Sequence, residues 1–597
     1  MHILIENKEA VLKKGASFDY IVENRFFTGA DSYSLSMSFP LKGCAQNLAI
    51  FGHINRKDSN LDKLLLECEI HDRNFHAYGA VNIVEISEAE VKTQFLVGKS
   101  VQNYMWDLDD IYINNVRIGK AREDGHFSCE YYWGVPFSPY YTGYVCLPWV
   151  NNTSGNLQNK LIKRSVGWYF AGTSIEDDAA LSCQYYLVYV LKKILEECDY
   201  TYDLTALEYS CYRLLVIFNT FPFAWRIDEW GLALPHWTVT ELLEQVELFT
   251  NGQFTINRKL RKVTFRFNKS ILENQGTVTI DNVVEEHQVE ISDKKDTNDT
   301  YSEQVNLKYA DADHHMMKYY SSPWVVNTIG RVYFSTFAAL KSAVSPYLVR
   351  NGAYGNVNIY NKVLYANDID TYFVLRCYKM IKSSNGKIDH YMRITPVNIF
   401  EPRIINRSED AQSKELSIVP VCIDHASDTI GDCVFLECGT YGDVEDADEN
   451  QTLAVNTLTD GEPEKKEEYY DKLYVGYWDG TDATQNWGTS SFYPLPWVDN
   501  ILVNPDNNLC KTHMDEQEDS SMRLKGRLVA YNHQVKHKVD QSIKFTFKFL
   551  ISDGVIPDIN SIFYIHGRKY LAEKITATFT EDGISQLVKM VAYRING

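Results

Sequence analysis

Residues 237–267, WTVTELLEQVELFTNGQFTINRKLRKVTFRF, read as one complete helix–hairpin module, and the remainder of the chain is organised around it. Val239, Leu242, Leu243, Val246 and Phe249 recur at spacings of three and four, which predicts a helix with one buried face. Thr238 or Thr240 supplies the capping oxygen at its start, and Gly252 fits its end. Beyond that glycine, Gln253–Asn257 and Lys262–Phe267 alternate apolar and polar residues on either side of the turn Arg258, Lys259, Leu260, Arg261, the pattern of a short antiparallel hairpin. The module carries no reaction chemistry and reads as scaffold. Its outer face, with Glu241, Glu244 and Glu247, is left to meet either solvent or a neighbouring protein.

Working outward, Ala179–Cys198 places Leu181, Tyr185, Val188, Leu191 and Leu195 on one helical stripe, and residues 204–220 begin as a helix and end as a strand. With the module these segments make an α/β unit of about 110 residues, the size of one domain. On both sides the period changes to two. Ser32–Phe39 alternates until Pro40, and Val81–Ile86 pairs with Lys92–Val97. Strands are also expected at Thr277–Ile280, Val305–Tyr309, Val357–Tyr360, Tyr372–Tyr378 and His390–Ile394. At the end, Ile543–Leu550 alternates lysine with phenylalanine, and Ile562–Ile565, Lys569–Phe579 and Gln586–Ile595 follow as strands of a small antiparallel barrel or sandwich. No repeat of fixed period is visible, which disfavours a propeller or solenoid.

Two terminal stretches, FFTGADSYSLSMSFPLKGCAQNLAIFGHINRKD (26–58) and SIFYIHGRKYLAEKITATFTEDGISQLVKMVAYRI (561–595), together with the 237–267 module, resemble the tail hub and baseplate (tail-tip) structural proteins of phages and prophages of gut Bacteroidetes. The resemblance implies a virion protein that closes the tail tube and anchors tip or fibre proteins. It further implies β-barrel tube-like domains, a homotrimer whose six barrels meet a hexameric tube, and contacts with tail tube, baseplate, tape measure and fibre proteins. The resemblance also implies that DNA passes through transiently without specific binding. The place implied is the virion tail, after assembly in the host bacterial cytoplasm. The resulting fold class is β-rich multidomain (α+β), with antiparallel β-barrel tube-like domains and an α/β insertion. It divides the chain into an N-terminal β domain (1–160), an α/β insertion (161–285), a β domain (286–405) and a C-terminal β-barrel domain (406–597) carrying the acidic stretch 443–471.

The totals agree with a β-rich chain. At 597 residues the length exceeds one core, and 40 tyrosines and 28 phenylalanines suit half-buried strands. A net charge of −20 argues against a general nucleic-acid binder, because phosphate neutralisation needs clustered lysine and arginine. An acidic lumen would repel passing DNA and prevent sticking. The stretch 443–471 has dense acids, few large apolar residues and no EF-hand spacing, so it reads as a solvated loop. MHILIENKEAVLKKG has neither the basic start nor the apolar region of a secretory signal, and no run approaches a membrane span.

A search for chemistry leaves no catalytic, cofactor-binding or metal residue, and the chain is read as a non-enzyme. The 12 cysteines contain no C-x-x-C pair; Cys422, Cys433 and Cys438 lack zinc spacing, and Cys183 and Cys198 fall on an apolar helical stretch as structural thiols. Asp311, Asp313, His314 and His315 are the best metal candidates, yet adjacent histidines on a strand diverge, and a polar turn is the plainer reading. Asp424 and His425 form an acid/base pair without a nucleophile motif beside them, and no phosphate-binding loop occurs. A receptor- or carbohydrate-binding tip protein is the first rival, motivated by the aromatic run 131–150, including Trp149, and by Trp478, Trp487 and Trp497. The second is a tail-borne glycan hydrolase, whose two carboxylates are defined in space rather than in sequence.

Overall fold

The computed structural model describes residues 1–28, 32–56, 65–98, 108–118, 150–151, 157–158, 161–164, 167–170, 184–219, 231, 233–257, 259–268, 270, 276–284, 287–291, 305–309, 331–347, 349–351, 362–367, 371–382, 388–397, 412–420, 422–426, 433–437, 472–482, 493–497 and 539–595. These residues form a β-rich, multidomain architecture of several sheets with a small helical region. Among them no helix is long and apolar enough to cross a membrane.

The largest sheet has 14 strands and takes them from both ends of the chain. Its main path runs Gln288–Ile291, Val539–Leu550, Gly583–Ile595, Arg568–Thr580, Phe18–Glu23, Ser32–Ser34, Glu90–Leu96, Phe75–Ile86, Leu65–Asp72, His2–Ile5 and Lys8–Ala10. The two ends meet where Phe18–Glu23 lies antiparallel to Arg568–Thr580, with Phe18 opposite Phe579, Tyr20 opposite Ala577 and Val22 opposite Ile575. Period-two patterning explains the burial. In Leu65–Asp72 (LLECEIHD) Leu66, Cys68 and Ile70 face inward, while Glu67, Glu69 and His71 alternate with them. Residues of both ends form one core, with Ile3, Phe39, Ile70, Val81 and Phe95 packed in the same cluster as Phe549, Phe563, Ile575, Phe579 and Met590. Strands near the two ends of the chain therefore share a sheet and a core. Among the described residues the sheet is open, with Gln288–Ile291 and Lys8–Ala10 at its edges.

One expected strand is broken. Ser32–Phe39 folds as Ser32–Ser34 and Met37–Pro40, both paired with Glu90–Leu96. The cause is local: the Ser34 hydroxyl accepts the Phe95 N–H at 2.8 Å, and the Leu35 N–H turns to the Asp19 carbonyl, also at 2.8 Å. A side-chain acceptor stands where a backbone carbonyl would continue the ladder. The expected pair around Ser87 forms as Phe75–Ile86 with Glu90–Leu96, and the Ser87 hydroxyl accepts the Glu90 N–H across the turn at 3.0 Å.

In the module the helix runs Val239–Thr250 and buries Val239, Leu242, Leu243, Val246 and Phe249, the stripe read from the sequence. Thr238 is its cap. The Thr238 hydroxyl accepts the Glu241 N–H at 3.2 Å, and the Glu241 carboxylate accepts the Thr238 N–H at 2.7 Å, a complete capping box. The helix ends one residue before the expected glycine, at Asn251 in the left-handed region (φ 53°). Gly252 instead opens the strand Gly252–Asn257, where a Cβ would run into the buried Phe265 ring on the partner strand Lys262–Phe267. Gly252→Ala is accordingly expected to cost about 2 kcal/mol by overpacking. Chemical denaturation of the purified variant checks this.

A third strand, Thr201–Asp203, pairs parallel with Lys262–Phe267 and completes a three-stranded sheet around the hairpin. The preceding helix is shorter than its expected span. It runs Leu187–Glu197, because Tyr185–Tyr186 is drawn into a strand against Leu215–Phe218. There Gln184 and Asn219 fix each other: Gln184 Nε2 donates to the Asn219 carbonyl, and Gln184 Oε1 accepts the Asn219 N–H, both at 2.8 Å. Leu215–Phe218 in turn pairs with Leu473–Asp482, so the segment after the acidic stretch packs on the strand before the module.

Candidate functional site

The strongest polar constellations among the described residues lie where the module and the two chain ends converge. The first is built by Arg25, just after the strand Phe18–Glu23. Its guanidinium pairs with the Glu247 carboxylate at 2.8 Å and donates to the Phe254 carbonyl at 2.9 Å, while Glu247 also accepts the Phe254 N–H at 2.6 Å. Both charged side chains are nearly nine-tenths buried, at 11% and 13% exposure. Glu247 is thus paired within the chain, and Glu241 is engaged as the cap. Arg25→Ala would leave Glu247 buried without its cation, and a loss of about 2 kcal/mol is expected. Hydrogen exchange should show that loss in residues 239–267 before the 14-stranded sheet.

A second contact ties the hairpin turn to the sheet. Lys259 reaches Glu69 at 2.6 Å and lies over the Tyr78 ring at 5.3 Å. The Lys259 ammonium, with His71 on the other carboxylate oxygen, holds the Glu69 carboxyl below its usual range. The two ion pairs grip the module at its helix and at its turn.

The third constellation links two strands of the large sheet, Leu65–Asp72 and Gly583–Ile595. Asp72 occupies an inward position of its strand, 7% exposed, where the pattern calls for an apolar side chain. Its carboxylate accepts the Ile584 N–H at 2.8 Å, approaches the Met1 amine at 3.4 Å, and pairs with Arg73 at 3.3 Å, which itself donates to the Ile584 carbonyl at 2.6 Å. Gly583 fits beside it for two reasons: φ is +108°, and a Cβ would stand 2.5 Å from the carboxylate. Burial pushes the Asp72 carboxyl up. The Ile584 N–H, the amine and Arg73 together outweigh that and hold it below the ordinary range.

These groups position chain segments. The residues singled out from sequence fall elsewhere. Asp311, Asp313, His314 and His315, Trp149 and Trp487, Cys183, the aromatic run up to Val150 and the stretch 443–471 lie outside the described residues. Asp424 and His425 occupy consecutive positions of Cys422–Ala426, opposite Phe435 and Val434. Trp478 and Trp497 belong to paired strands, Trp478 opposite Pro496 and Trp497 opposite Tyr477. Cys68 and Cys198 are buried free thiols, and burial pushes the Cys198 thiol up to about 11 against the pull of Arg261. Such a thiol is inert at neutral pH. Among the described residues no group of three or more His, Cys, Asp or Glu side chains is set to hold a metal ion.

Sequence reasoning passed over Arg25 and Asp72, and read Gly583 only as the turn after Lys569–Phe579. Asp72 did carry a signal, an acid on the apolar phase of an alternating strand; Arg25 carried none.

No protein-family model matches the chain, and neither does any curated protein. Among solved structures it aligns with the 43 kDa tail protein of prophage MuSo2 from Shewanella oneidensis, over 100% of this chain and 99% of that one, at 7% identity and a TM-score of 0.30. A score that low carries no argument about function.

Proposed function

We propose that the chain is a virion structural protein of the tail hub or baseplate type, which closes the tail tube as a homotrimeric ring and anchors tip or fibre proteins. The observation that carries this reading is convergence. The three segments bearing the family resemblance, 26–58, 237–267 and 561–595, are far apart in sequence, yet the first and last supply strands to one sheet and one core, and Arg25 and Lys259 tie the middle one to it. In this proposal the two ends form the tube-like part, which the ring closes into barrels, and 161–285 hangs on it as an insertion. The division 1–160, 161–285, 286–405 and 406–597 then describes order along the chain, with the outer segments joined in space.

Function in such a ring comes from geometry and multiplicity. A heterologous contact that closes by rotation gives a ring of fixed size, and the net charge of −20 keeps passing DNA from adhering. Light scattering of the purified protein tests the stoichiometry. Three chain masses support the proposal; a stable monomer absent from tails overturns it.

A further inference from the structure

We infer that His71 and His76 form a two-imidazole site for a late first-row divalent cation: Zn²⁺, Ni²⁺ or Cu²⁺. The inference is independent of the tail reading. His71 ends the outward row of Leu65–Asp72 and His76 lies directly opposite it on Phe75–Ile86, so both rings rise from the same side of a two-residue turn. Their Nδ1 atoms face each other at 2.7 Å, with ring centroids 5.0 Å apart.

The second nitrogen of His71 fixes its chemistry. Its Nε2 stands 2.9 Å from the Glu69 carboxylate, an acceptor only, so Nε2 carries the hydrogen and the lone pair of the neutral ring sits on Nδ1, aimed at His76. This is the outer-shell arrangement of ligating histidines, in which a carboxylate holds the far N–H and raises the basicity of the ligand. Glu69 is itself held by Lys259 from the module turn. The other charged groups nearby are already engaged: His2, opposite His71 on the neighbouring strand, bonds Glu9 at 2.7 Å.

Two imidazoles select late first-row ions over Ca²⁺ or Mg²⁺, which require oxygen ligands. With bonds of roughly 2.0–2.1 Å in tetrahedral geometry, the two nitrogens stand about 3.3 Å apart. Small ring tilts on an exposed turn supply that opening. The ion takes the place of the hydrogen between the two Nδ1 atoms, that hydrogen moving to His76 Nε2, and water completes the coordination on the exposed side.

Calorimetric titration of the full chain with ZnCl₂ tests the site against the background of 15 histidines. His71→Ala and His76→Ala should each lower the Zn²⁺ stoichiometry by one equivalent, with circular dichroism unchanged. Glu69→Gln should keep the equivalent but bind it about tenfold more weakly, and His53→Ala should alter neither quantity. Wild-type stoichiometry and affinity in His76→Ala, or no saturable binding by the wild-type chain, would overturn the inference.

Discussion

Phe579→Ala is expected to lose about 4 kcal/mol of stability, the range for deleting a buried aromatic ring. Phe579 is fully buried, stacks on Phe18 at 5.1 Å, and meets Phe75 at 5.0 Å and Tyr20 edge-on at 6.2 Å. Three of the four rings come from the first 75 residues and one from the last 20. The loss should therefore appear at both ends of the chain together. Denaturation followed by hydrogen exchange checks this, with protection in 18–23 and 568–580 falling in parallel. A loss confined to the C-terminal strands would mean that the ends fold as separate units. Phe579→Leu should lose less, since most of the volume is retained.

Asp72→Ala is expected to cost about 3 kcal/mol, because it leaves the Ile584 N–H without an acceptor and strips a buried carboxylate from its cationic partners. The contact also sets a pH dependence. The Asp72 carboxyl is depressed in the folded chain, so its contribution is fully present above the ordinary aspartate value of 3.8 and is lost as pH falls through the lower folded value. Acid unfolding of the wild-type chain should steepen below about pH 4, and that component should be missing in Asp72→Ala. An unchanged acid limb in the variant would show that other carboxylates control the transition.

How much of the fold was legible in the sequence depends on the range of each interaction. The module could be read because its signals are local: a capping threonine, a stripe at three and four, and a hairpin turn all lie within 31 residues. The one-residue shift at Gly252 arose because the glycine answers to Phe265 across the hairpin, and Asn251 takes the left-handed position. Thr201–Asp203 went unread, since three residues carry no periodicity and their parallel partner is distant in sequence, Thr201 lying opposite Lys262. The joining of the two ends leaves no local pattern at all. Thr578 donates to Asp19 at 2.6 Å across 559 positions, whereas the sequence pattern assigns the two terminal segments to separate domains. For the candidate site, Asp72 stood out of phase in its strand. Arg25 and Glu247 were ordinary surface charges until the fold brought them together.

A map of the assembled particle, with this chain located in it, tests the central claim most directly. The proposal predicts three copies arranged around the tail axis where the tube ends, each with its N- and C-terminal strands in one body and 237–267 docked against it. Purified tails that lack the chain, or copies confined to peripheral fibres, would contradict it.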